Sequence, residues 1–177
     1  MVPTPAPISQ QCFPAPLPDV NVVIDEEDNC TALGNLVVMY EPNLTSTNGG
    51  SGCSGSPLVI SRVYSVTDEA GNSTTVTQVI TIEDDIFPTV ETDLANPWYP
   101  SLAAAEAAAL ARANATKHDN CTPPTGITVS FATVSTQIGC TWTIHLVVTD
   151  ACGNPTFADY TTVVDDEDPT IDTPDPL

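Results

Sequence analysis

The sequence is short of positive charge, of aromatic residues and of histidine. Of its 177 residues only 3 are Lys or Arg, against 23 Asp or Glu, which gives a formal net charge of −20. Nucleic-acid binding needs basic residues that contact phosphate, so this composition excludes that partner, and it disfavours docking on anionic lipid. Carboxylates this dense repel one another unless ions from solvent neutralise them, so the composition favours bound divalent metal.

Two further absences narrow the class of protein. The 6 cysteines contain no C-x-x-C pair, which argues against a zinc ribbon or redox motif and favours disulfides in an oxidising compartment. The longest apolar run, residues 102–111, is too short to span a bilayer and is interrupted by Glu106, so we expect no membrane insertion. These features predict an extracellular or cell-surface protein.

An internal repeat organises the chain. Residues 28–31 read Asp-Asn-Cys-Thr and recur at 119–122, and a Thr-Asp-x-x-Gly-Asn segment at 67–72 recurs at 149–154. The order of the motifs is kept, and each copy ends in a β-branched run, an acidic exit and a Pro-Thr pair. Such ordered self-similarity indicates two copies of one structural unit.

Strand and turn signals predict the fold class. Each copy contains β-branched runs, and Gly-Asn pairs at 71–72 and 153–154 are turn signals that join two strands into a hairpin. We predict an all-β chain of two tandem β-sandwich domains. The first covers residues 1–87 and the second residues 88–177, of which 169–177 form a linker or the start of a further strand.

One segment departs from the strand pattern. Residues 101–114 are rich in Ala, follow Pro100 and begin with Ser101, a favourable N-cap residue. The second domain is therefore predicted to contain one inserted helix over 101–114. An isolated helix of this length is marginal in water, so it must pack on the sheet.

The repeat also suggests a disulfide arrangement. Only two pairs of cysteines occur at corresponding sequence positions in both domains, Cys30 with Cys53 and Cys121 with Cys140. We predict these two disulfides, each closing a loop of about 20 residues.

Acidic residues bunch at predicted loops and domain exits. Calcium prefers six to eight oxygen ligands from carboxylates, carbonyls and Asn side chains, and loops that converge at one end of a sandwich could supply them. The alternatives are a solvated acidic surface, or turn capping by Asp68 and Asp150. The candidate calcium ligands are Asp25, Asp28, Asp68, Asp84, Asp85, Asp119, Asp150, Asp165, Asp166 and Asp168.

Modification and catalysis leave weaker signals. Asn43 in a loop is the best candidate for N-glycosylation, with Asn72 and Asn114 as further sequons.

Only two histidines are present, and His145 is expected on a strand, on the face opposite Trp142, Ile144, Leu146 and Val148. No Ser or Cys has a base and an orienting partner nearby in sequence, so we expect no enzyme.

The repeated Asp-Asn-Cys, Thr-Asp-x-x-Gly-Asn and acidic Pro-Thr motifs resemble hyalin-repeat-type, immunoglobulin-like tandem domains of bacterial extracellular surface proteins, especially of Bacteroidetes. The resemblance covers nearly the whole chain except the Ala-rich segment. It implies immunoglobulin-like sandwiches with a role in extracellular adhesion or scaffolding, and it brings no catalytic residues.

The resemblance also implies a role for the two remaining cysteines. Similar repeats carry four cysteines, whereas here Ala70 stands at the fourth position of the first domain and Pro97 at the first position of the second. Cys12 and Cys152 are then complementary halves of one bridge, which we expect between copies arranged head to tail. The alternatives are that Cys12 pairs with a preceding domain, or that both thiols are free.

These observations predict an extracellular structural subunit of a fibre or surface adhesin, rigidified by disulfides and calcium and assembling head to tail. Its partners would be copies of itself or neighbouring repeats. The alternative is a carbohydrate- or surface-binding accessory module of a larger secreted protein, for which Phe13, Trp98 and Tyr99 are the candidate contacts and glycans the partner.

Overall fold

The computed structural model describes residues 5–24 and 26–170 of the chain. Contacts divide it into two compact units, Met1–Ile86 and Phe87–Leu177, one residue before the boundary expected from the repeat. Each unit is built mainly of strands and the second adds one helix, so the all-β prediction is confirmed.

The first unit contains one five-stranded sheet among its described residues. The strands are β1 (Ile8–Gln10), β2 (Val37–Tyr40), β3 (Ser46–Thr47), β4 (Leu58–Thr67) and β5 (Ser73–Ile82). Their order is β1-β5-β4-β2, and β3 pairs with β4 beyond the end of β2. β1 runs parallel to β5, and the other pairs are antiparallel.

One face of this sheet is buried under irregular chain. The segment before β2 is rich in proline, which cannot donate to a strand ladder, so it covers the sheet as coil with short 3₁₀ turns. Arg62 holds this cover in place, because its Nη atoms donate to the carbonyls of Pro16 at 2.6 Å and Leu17 at 3.3 Å. The apolar cluster between the layers consists of Val23, Tyr64, Val66 and Val76.

The second unit repeats this sheet with a different cover. Its elements are β6 (Trp98–Tyr99), α1 (Leu102–Thr116), β7 (Thr128–Phe131), β8 (Thr136–Ile138), β9 (Thr141–Thr149) and β10 (Pro155–Val164). The strand order is β6-β10-β9-β7, with β8 paired to β9. β6 is parallel to β10, as β1 is to β5.

The predicted helix is confirmed, and it forms the second layer of this unit. Ser101 is its N-cap and accepts a hydrogen bond from Ala104 N at 3.2 Å. Ala105, Ala109 and Ala113 are fully buried, because small side chains allow the helix backbone to approach the sheet closely. The sheet residues beneath it are Ile144, Leu146, Ala158, Tyr160 and Val164. No helix in the described residues is long and apolar enough to cross a membrane.

The finer prediction of a sandwich in each domain is not confirmed. Among the described residues each unit has a single sheet, and its second layer is coil in the first unit and α1 in the second. A sequence pattern of alternating residues indicates one buried face but does not say what covers it, which explains the difference.

The predicted hairpins are confirmed in both units. β4 pairs with β5 and β9 with β10 along their lengths, around turns in which Gly71 and Gly153 have φ of 88° and 87°. This left-handed conformation strains any residue with a Cβ. Ile144, Leu146 and Val148 are buried and His145 lies on the opposite face, as the alternation predicts.

The cysteines are arranged differently from the prediction. Cys30 and Cys140 are free and exposed. Two cysteines of each unit are in disulfides, Cys12 and Cys53 in the first, Cys121 and Cys152 in the second.

Local contacts identify the two bridges. In the first unit Cys12 follows β1, and β1 pairs with the end of β5. Just beyond β5, the backbone N–H of Asp84 donates to Gly52 O at 2.7 Å, and Asp84 forms an isolated β-bridge with Cys53. These contacts bring Cys12 and Cys53 together.

In the second unit Ala151 N donates to Thr122 Oγ1 at 3.1 Å. The neighbouring residues Cys121 and Cys152 are therefore adjacent. The disulfides are Cys12–Cys53 and Cys121–Cys152, one in each unit.

The predicted pairs Cys30–Cys53 and Cys121–Cys140 are therefore wrong. Cys30 lies near the turn before β5 and Cys53 near the end of β5, a strand of 10 residues. At about 3.3 Å per residue these ends are far beyond the Cα separation of a disulfide, about 4.4–6.8 Å. Cys121 and Cys140 lie at opposite ends of β10 in the same way.

The predicted bridge between Cys12 and Cys152 of different copies is wrong as well, because each of these cysteines is already in a disulfide of its own unit. The strand expected to be donated to a neighbour is also used internally, since β1 pairs with β5 of the same unit.

The comparison of the two units predicts that Ala70→Cys creates a third disulfide. Ala70 follows Glu69, whose N–H bonds Thr31 beside Cys30, as Cys152 follows Ala151 in the second unit. The new bridge to Cys30 would close a loop of about 40 residues and stabilise the unit by about 3–4 kcal/mol. Thiol titration should fall from two free thiols to one, and the melting temperature should rise. Ala70→Ser is the matched control, and three free thiols in Ala70→Cys, the count expected without a new bridge, would contradict the equivalence.

Candidate functional site

A hydrogen-bonded clasp joins the Asp-Asn-Cys-Thr motif to the hairpin in the first unit. Asp28 Oδ2 accepts from Cys30 N at 2.8 Å and from Thr31 N at 2.7 Å, which folds the motif into a tight turn. Thr31 Oγ1 in turn accepts from Glu69 N at 3.3 Å. The motif therefore fastens the covering layer to the β4–β5 turn.

The second unit repeats this clasp. Asp119 Oδ2 accepts from Cys121 N at 2.8 Å and from Thr122 N at 2.7 Å. Thr122 Oγ1 accepts from Ala151 N at 3.1 Å, in the β9–β10 turn. The same three contacts recur, and here the Cys121–Cys152 disulfide reinforces them.

The second carboxylate of each repeat caps the hairpin turn. Asp68 accepts from Asn72 N at 2.7 Å and from Asn72 Nδ2 at 2.7 Å. Asp150 accepts from Asn154 N at 2.9 Å and from its Nδ2 at 2.8 Å. Turn capping, one of the alternatives left open by the sequence, is therefore what these two carboxylates do.

These hydrogen bonds favour the charged carboxylates of the first unit. The N–H groups of Cys30 and Thr31 lower the pKa of Asp28 below its usual 3.8. Hydrogen bonds from the side chain and backbone of Asn72 lower the pKa of Asp68, while the nearby charge of Asp28 opposes that shift. The turn end of the unit thus holds two charged carboxylates close together.

The candidate calcium ligands do not gather at one end of either unit, contrary to the expectation. In the first unit Asp28 and Asp68 lie at the hairpin turn, whereas Asp84 and Asp85 follow the far end of the 10-residue β5. Asp25 lies outside the described residues.

The second unit separates its candidates in the same way. Asp119 and Asp150 lie at the turn, and three exposed residues follow β10, namely Asp165, Asp166 and Asp168. Any one cation can therefore be reached by only part of the predicted set.

Two groups could still hold a cation at the turn ends. Glu27, Asp28, Asp68 and Asn72 line a shallow cleft in the first unit. In the second unit Asp119 is 9% exposed, and its buried Oδ1 has no hydrogen-bond partner in the described part of the chain. Oxygen atoms of this kind are suitable ligands for calcium.

The open face of the second sheet carries a hydroxyl–imidazole–carboxylate row. His145 Nδ1 lies 2.7 Å from Asp159 Oδ1, and His145 Nε2 lies 3.1 Å from Thr136 Oγ1. The order matches nucleophile, base and orienting acid. β9, which carries His145, is paired on both sides, so its own N–H groups are engaged in the sheet. The row joins β8, β9 and β10 across the sheet.

The aromatic candidates are divided between surface and interior. Trp98 is 62% exposed, and it pairs with Val163, which places it on the open face of the second sheet. Phe157, 73% exposed, lies on the same face six residues earlier on β10. Tyr99 instead packs against the core under α1, and Phe13 is exposed in the first unit.

The three candidate glycosylation sites differ in their contacts. Asn43 is exposed in a turn between β2 and β3. Asn72 is held by Asp68, and Asn114 on α1 bonds the carbonyl of Leu110 and the amine of Lys117. A glycan on either of these two would displace existing hydrogen bonds.

Reasoning from sequence missed two contributions to these contacts. Thr31 and Thr122 carry the clasp, and their recurrence in the repeated Asp-Asn-Cys-Thr motif was the available signal. The pairing of His145 with Asp159 follows from their equal spacing about the turn of the hairpin.

Comparison with known proteins finds no family model and no curated protein that matches this sequence.

The shifted carboxylates predict a specific acid sensitivity. The pKa of Asp68 is lowered in the folded unit, so its stabilisation is complete above its unfolded pKa and is lost as pH falls through the lower folded value. Asp68→Asn should lower the melting temperature at pH 7. The NH₂ group that replaces one carboxylate oxygen cannot accept the hydrogen bond from Asn72 Nδ2. The difference from the parent should shrink below about pH 4 as Asp68 itself becomes protonated. Asp168→Asn, in an exposed segment, is the charge-matched control. A difference independent of pH would contradict the assignment.

The contacts also predict where a glycan is tolerated. Expression in a glycosylating secretory host should add a glycan at Asn43, since its side chain is exposed in a turn. Asn43→Gln should then remove that mass in intact-protein mass spectrometry without lowering the melting temperature. Asn72→Gln should lower the melting temperature with no loss of mass, and the reverse pattern would refute this ranking.

Proposed function

We propose that the protein is an extracellular structural subunit of a fibre or surface adhesin, in which copies associate head to tail. The observation that carries this proposal is the clasp, which recurs in both units with the same contacts. The most distinctive residues of the sequence therefore fasten a covering layer to a sheet. Residues repeated for structural reasons are expected in a protein whose task is mechanical.

Disulfides support the same proposal. Each unit has one bridge, and each bridge joins the covering chain to the sheet hairpin or its approach. Such bridges reduce the conformational entropy of the unfolded chain and so stabilise the folded unit. They are typical of small units outside the cell, where thiols are oxidised. The scarcity of Lys and Arg and the net charge of −20 favour high solubility of the single subunit.

We propose calcium as the ion that neutralises the turn ends. Asp28 and Asp68 lie close enough for one charge to affect the other, and Asp119 Oδ1 is buried without a hydrogen-bond partner among the described residues. A cation at these positions would offset both the repulsion and the cost of the buried oxygen.

The repeated motifs also support kinship with hyalin-repeat-type, immunoglobulin-like domains and the absence of catalysis. Under this proposal, the Thr136–His145–Asp159 row stabilises the sheet. The observation in its favour is that the row spans three adjacent strands on an exposed face.

A second candidate function is a glycan-binding accessory module. Trp98 and Phe157 favour it, because exposed aromatic side chains on one sheet face can stack on sugar rings. Their separation by six residues of β10, roughly 20 Å, would suit an extended chain of sugars. Trp98→Ala should abolish binding to an insoluble polysaccharide if this function is correct, and should leave assembly unchanged if the fibre function is correct.

Imaging and calcium titration test the main proposal. Negative-stain microscopy of the purified chain in millimolar calcium should show filaments, and discrete particles at all concentrations would refute the fibre. A chelator should lower stability by about 1–3 kcal/mol if the sites have the weak affinity of extracellular modules. For units of this size, each kcal/mol of lost stability lowers the melting temperature by about 4–8 °C.

Matched variants locate the calcium effect. Asp119→Asn retains the acceptor for the clasp and removes the carboxylate charge, so it should abolish the calcium-dependent part of the shift that arises in the second unit. Asp19→Asn is the control, because Asp19 caps a 3₁₀ turn through one oxygen and an amide can do the same. Equal responses to chelator in all three proteins would refute these ligands.

A further inference from the structure

The ladder between β6 and β10 stops at a proline. The N–H of Val163 donates to Pro97 O at 3.1 Å, and beyond it Asp165 N donates to Tyr99 O at the same distance. Thr161 is the next residue of β10 toward its start whose backbone groups face this side. Because proline has no N–H, Pro97 cannot donate to the carbonyl of Thr161. The strand β6 therefore covers only the end of β10.

The rest of β10 has a bare edge. Every second residue of the strand bonds to β9 through its backbone, a pattern that continues to the bond from Val164 N to Cys140 O. The N–H and C=O groups of Phe157, Asp159 and Thr161 point the other way and make no hydrogen bond within the described part of the chain. All three residues are exposed. A row of unpaired backbone groups of this kind is a template for a further strand.

The first unit has a bare edge of its own at β2. Glu41 N donates to Val63 O at 2.9 Å, which continues the ladder in which alternate residues of β2 bond to β4. The backbone groups of Val38 and Tyr40 therefore point away from the sheet. Within residues 5–24 and 26–170 no strand lies beyond β2 on that side.

These two edges lack the usual protection. Edge strands of single subunits are commonly guarded by lysine, by proline or by several charges. The four residues of β2 are Val-Val-Met-Tyr, and Val37 and Met39 are 53% and 57% exposed on the open face. The bare part of β10 contains one charged residue, Asp159, whose carboxylate lies 2.7 Å from His145 Nδ1. Both edges are thus free to pair with another strand.

We propose that β2 of one copy pairs with the bare edge of β10 in a second copy, so that two sheets become one continuous sheet. The inference rests on the proposed function, since it specifies how copies in the fibre are joined. Head-to-tail association needs two different surfaces on each chain, and these edges lie on different units. Main-chain hydrogen bonds to an added strand supply the attraction.

Strand direction is compatible with this pairing. β2 runs in the same direction as β5, because both are antiparallel to β4, and β5 corresponds to β10 in the repeat. A parallel pair of β2 with β10 would therefore keep the covered faces of both sheets on one side and both open faces on the other. The exposed side chains of Val37 and Met39 would then lie beside those of β10 on the open face.

Charge near the two edges also bears on the choice. Two β10 edges that paired with each other would bring their Asp159 carboxylates together across the new ladder, which like-charge repulsion opposes. The residues of β2 add no charge, and Glu41, which follows β2, accepts a hydrogen bond from Ser65 Oγ at 2.6 Å. The hydrogen-bonding capacity of the edges drives the contact, and the charges disfavour the pairing of β10 with itself.

The contact would repeat from copy to copy. A chain that has paired through β2 still presents its β10 edge, and a contact between two different surfaces propagates unless its geometry closes a ring. Because β2 has only four residues, each ladder is short, and assembly should depend strongly on concentration.

Proline variants test the two edges. Thr161→Pro and Val38→Pro each remove an N–H that has no partner in the described part of the chain, so the ladders within the sheets are retained. The matched controls Thr161→Val and Val38→Ala keep the N–H. In sedimentation velocity at rising concentration, the wild type and both controls should form species larger than a dimer. Each proline variant should remain monomeric, and an equal mixture of the two should give a dimer and nothing larger.

Three outcomes of this experiment would overturn the inference. A dimer of Thr161→Pro alone would show that β2 pairs with itself, and a dimer of Val38→Pro alone would show the same for β10. A mixture that stays monomeric while the wild type assembles would show that the two edges do not meet.

Amide exchange in the wild type tests the contact without any substitution. On assembly, deuterium exchange should slow at Val38 and Tyr40 and at the three bare residues of β10, compared with a dilute sample. The backbone groups of Val129 and Phe131 form the equivalent edge on β7 and serve as the internal control. Slowing on β7 in place of β2, or unchanged exchange on β10, would overturn the inference even if a proline variant fails to fold.

Microscopy of the same samples separates this inference from the proposed function. Filaments that persist in both proline variants would overturn the edge pairing and retain the fibre. A dimer in the mixture of variants, with no filaments of the wild type at any concentration, would support the pairing and overturn the fibre.

Discussion

Each unit buries one face of a single sheet, and the rest of its structure depends on holding a second layer against that face. A sheet with one apolar face is unstable in water until something covers it. In the described residues that cover is not another sheet, so its backbone lacks the long ladders that would fix its position. The clasp, the disulfides and the Arg62 contacts supply the missing constraints.

The two units meet this requirement with different covers on the same frame. Coil covers the first sheet and α1 the second, yet the clasp and the turn cap are the same in both. The carboxylates of these devices accept hydrogen bonds from N–H groups and so need no basic partner. Part of the high negative charge therefore arises from the way the turns are built, rather than from a surface that attracts a cationic ligand.

The sequence allowed prediction of features that depend on neighbouring residues. The hairpins followed from the Gly-Asn turns, α1 followed from the Ala-rich segment behind Ser101, and the capping role of Asp68 was foreseen as an alternative. Features that depend on distant registers were not accessible. The sequence of a proline-rich coil does not show which face of the sheet it covers. A repeated Gly-Cys pair does not show that its two copies lie at different positions relative to the strands.

The Gly-Cys pairs show how that difference arises. Cys140 lies opposite Val164, whereas the residue opposite the equivalent Ile82 is Leu58, so Cys53 sits five residues earlier in its unit. The two cysteines look equivalent along the chain but are not equivalent in the sheet. The pairing that assumed their equivalence placed both bridges across the length of a strand.

The same registers explain the missing cysteine of the second unit. Gln10 pairs with Ile82 and Tyr99 with Val164, so the position that Cys12 takes in the first unit belongs to Ser101 in the second, and the assignment of that position to Pro97 is wrong. Ser101 is the N-cap of α1. The second unit thus begins its helix where the first forms its disulfide, because the packed helix fixes the cover at that end. At the turn end the roles reverse, since the second unit has the disulfide and the first has only the clasp and an unused thiol at Cys30.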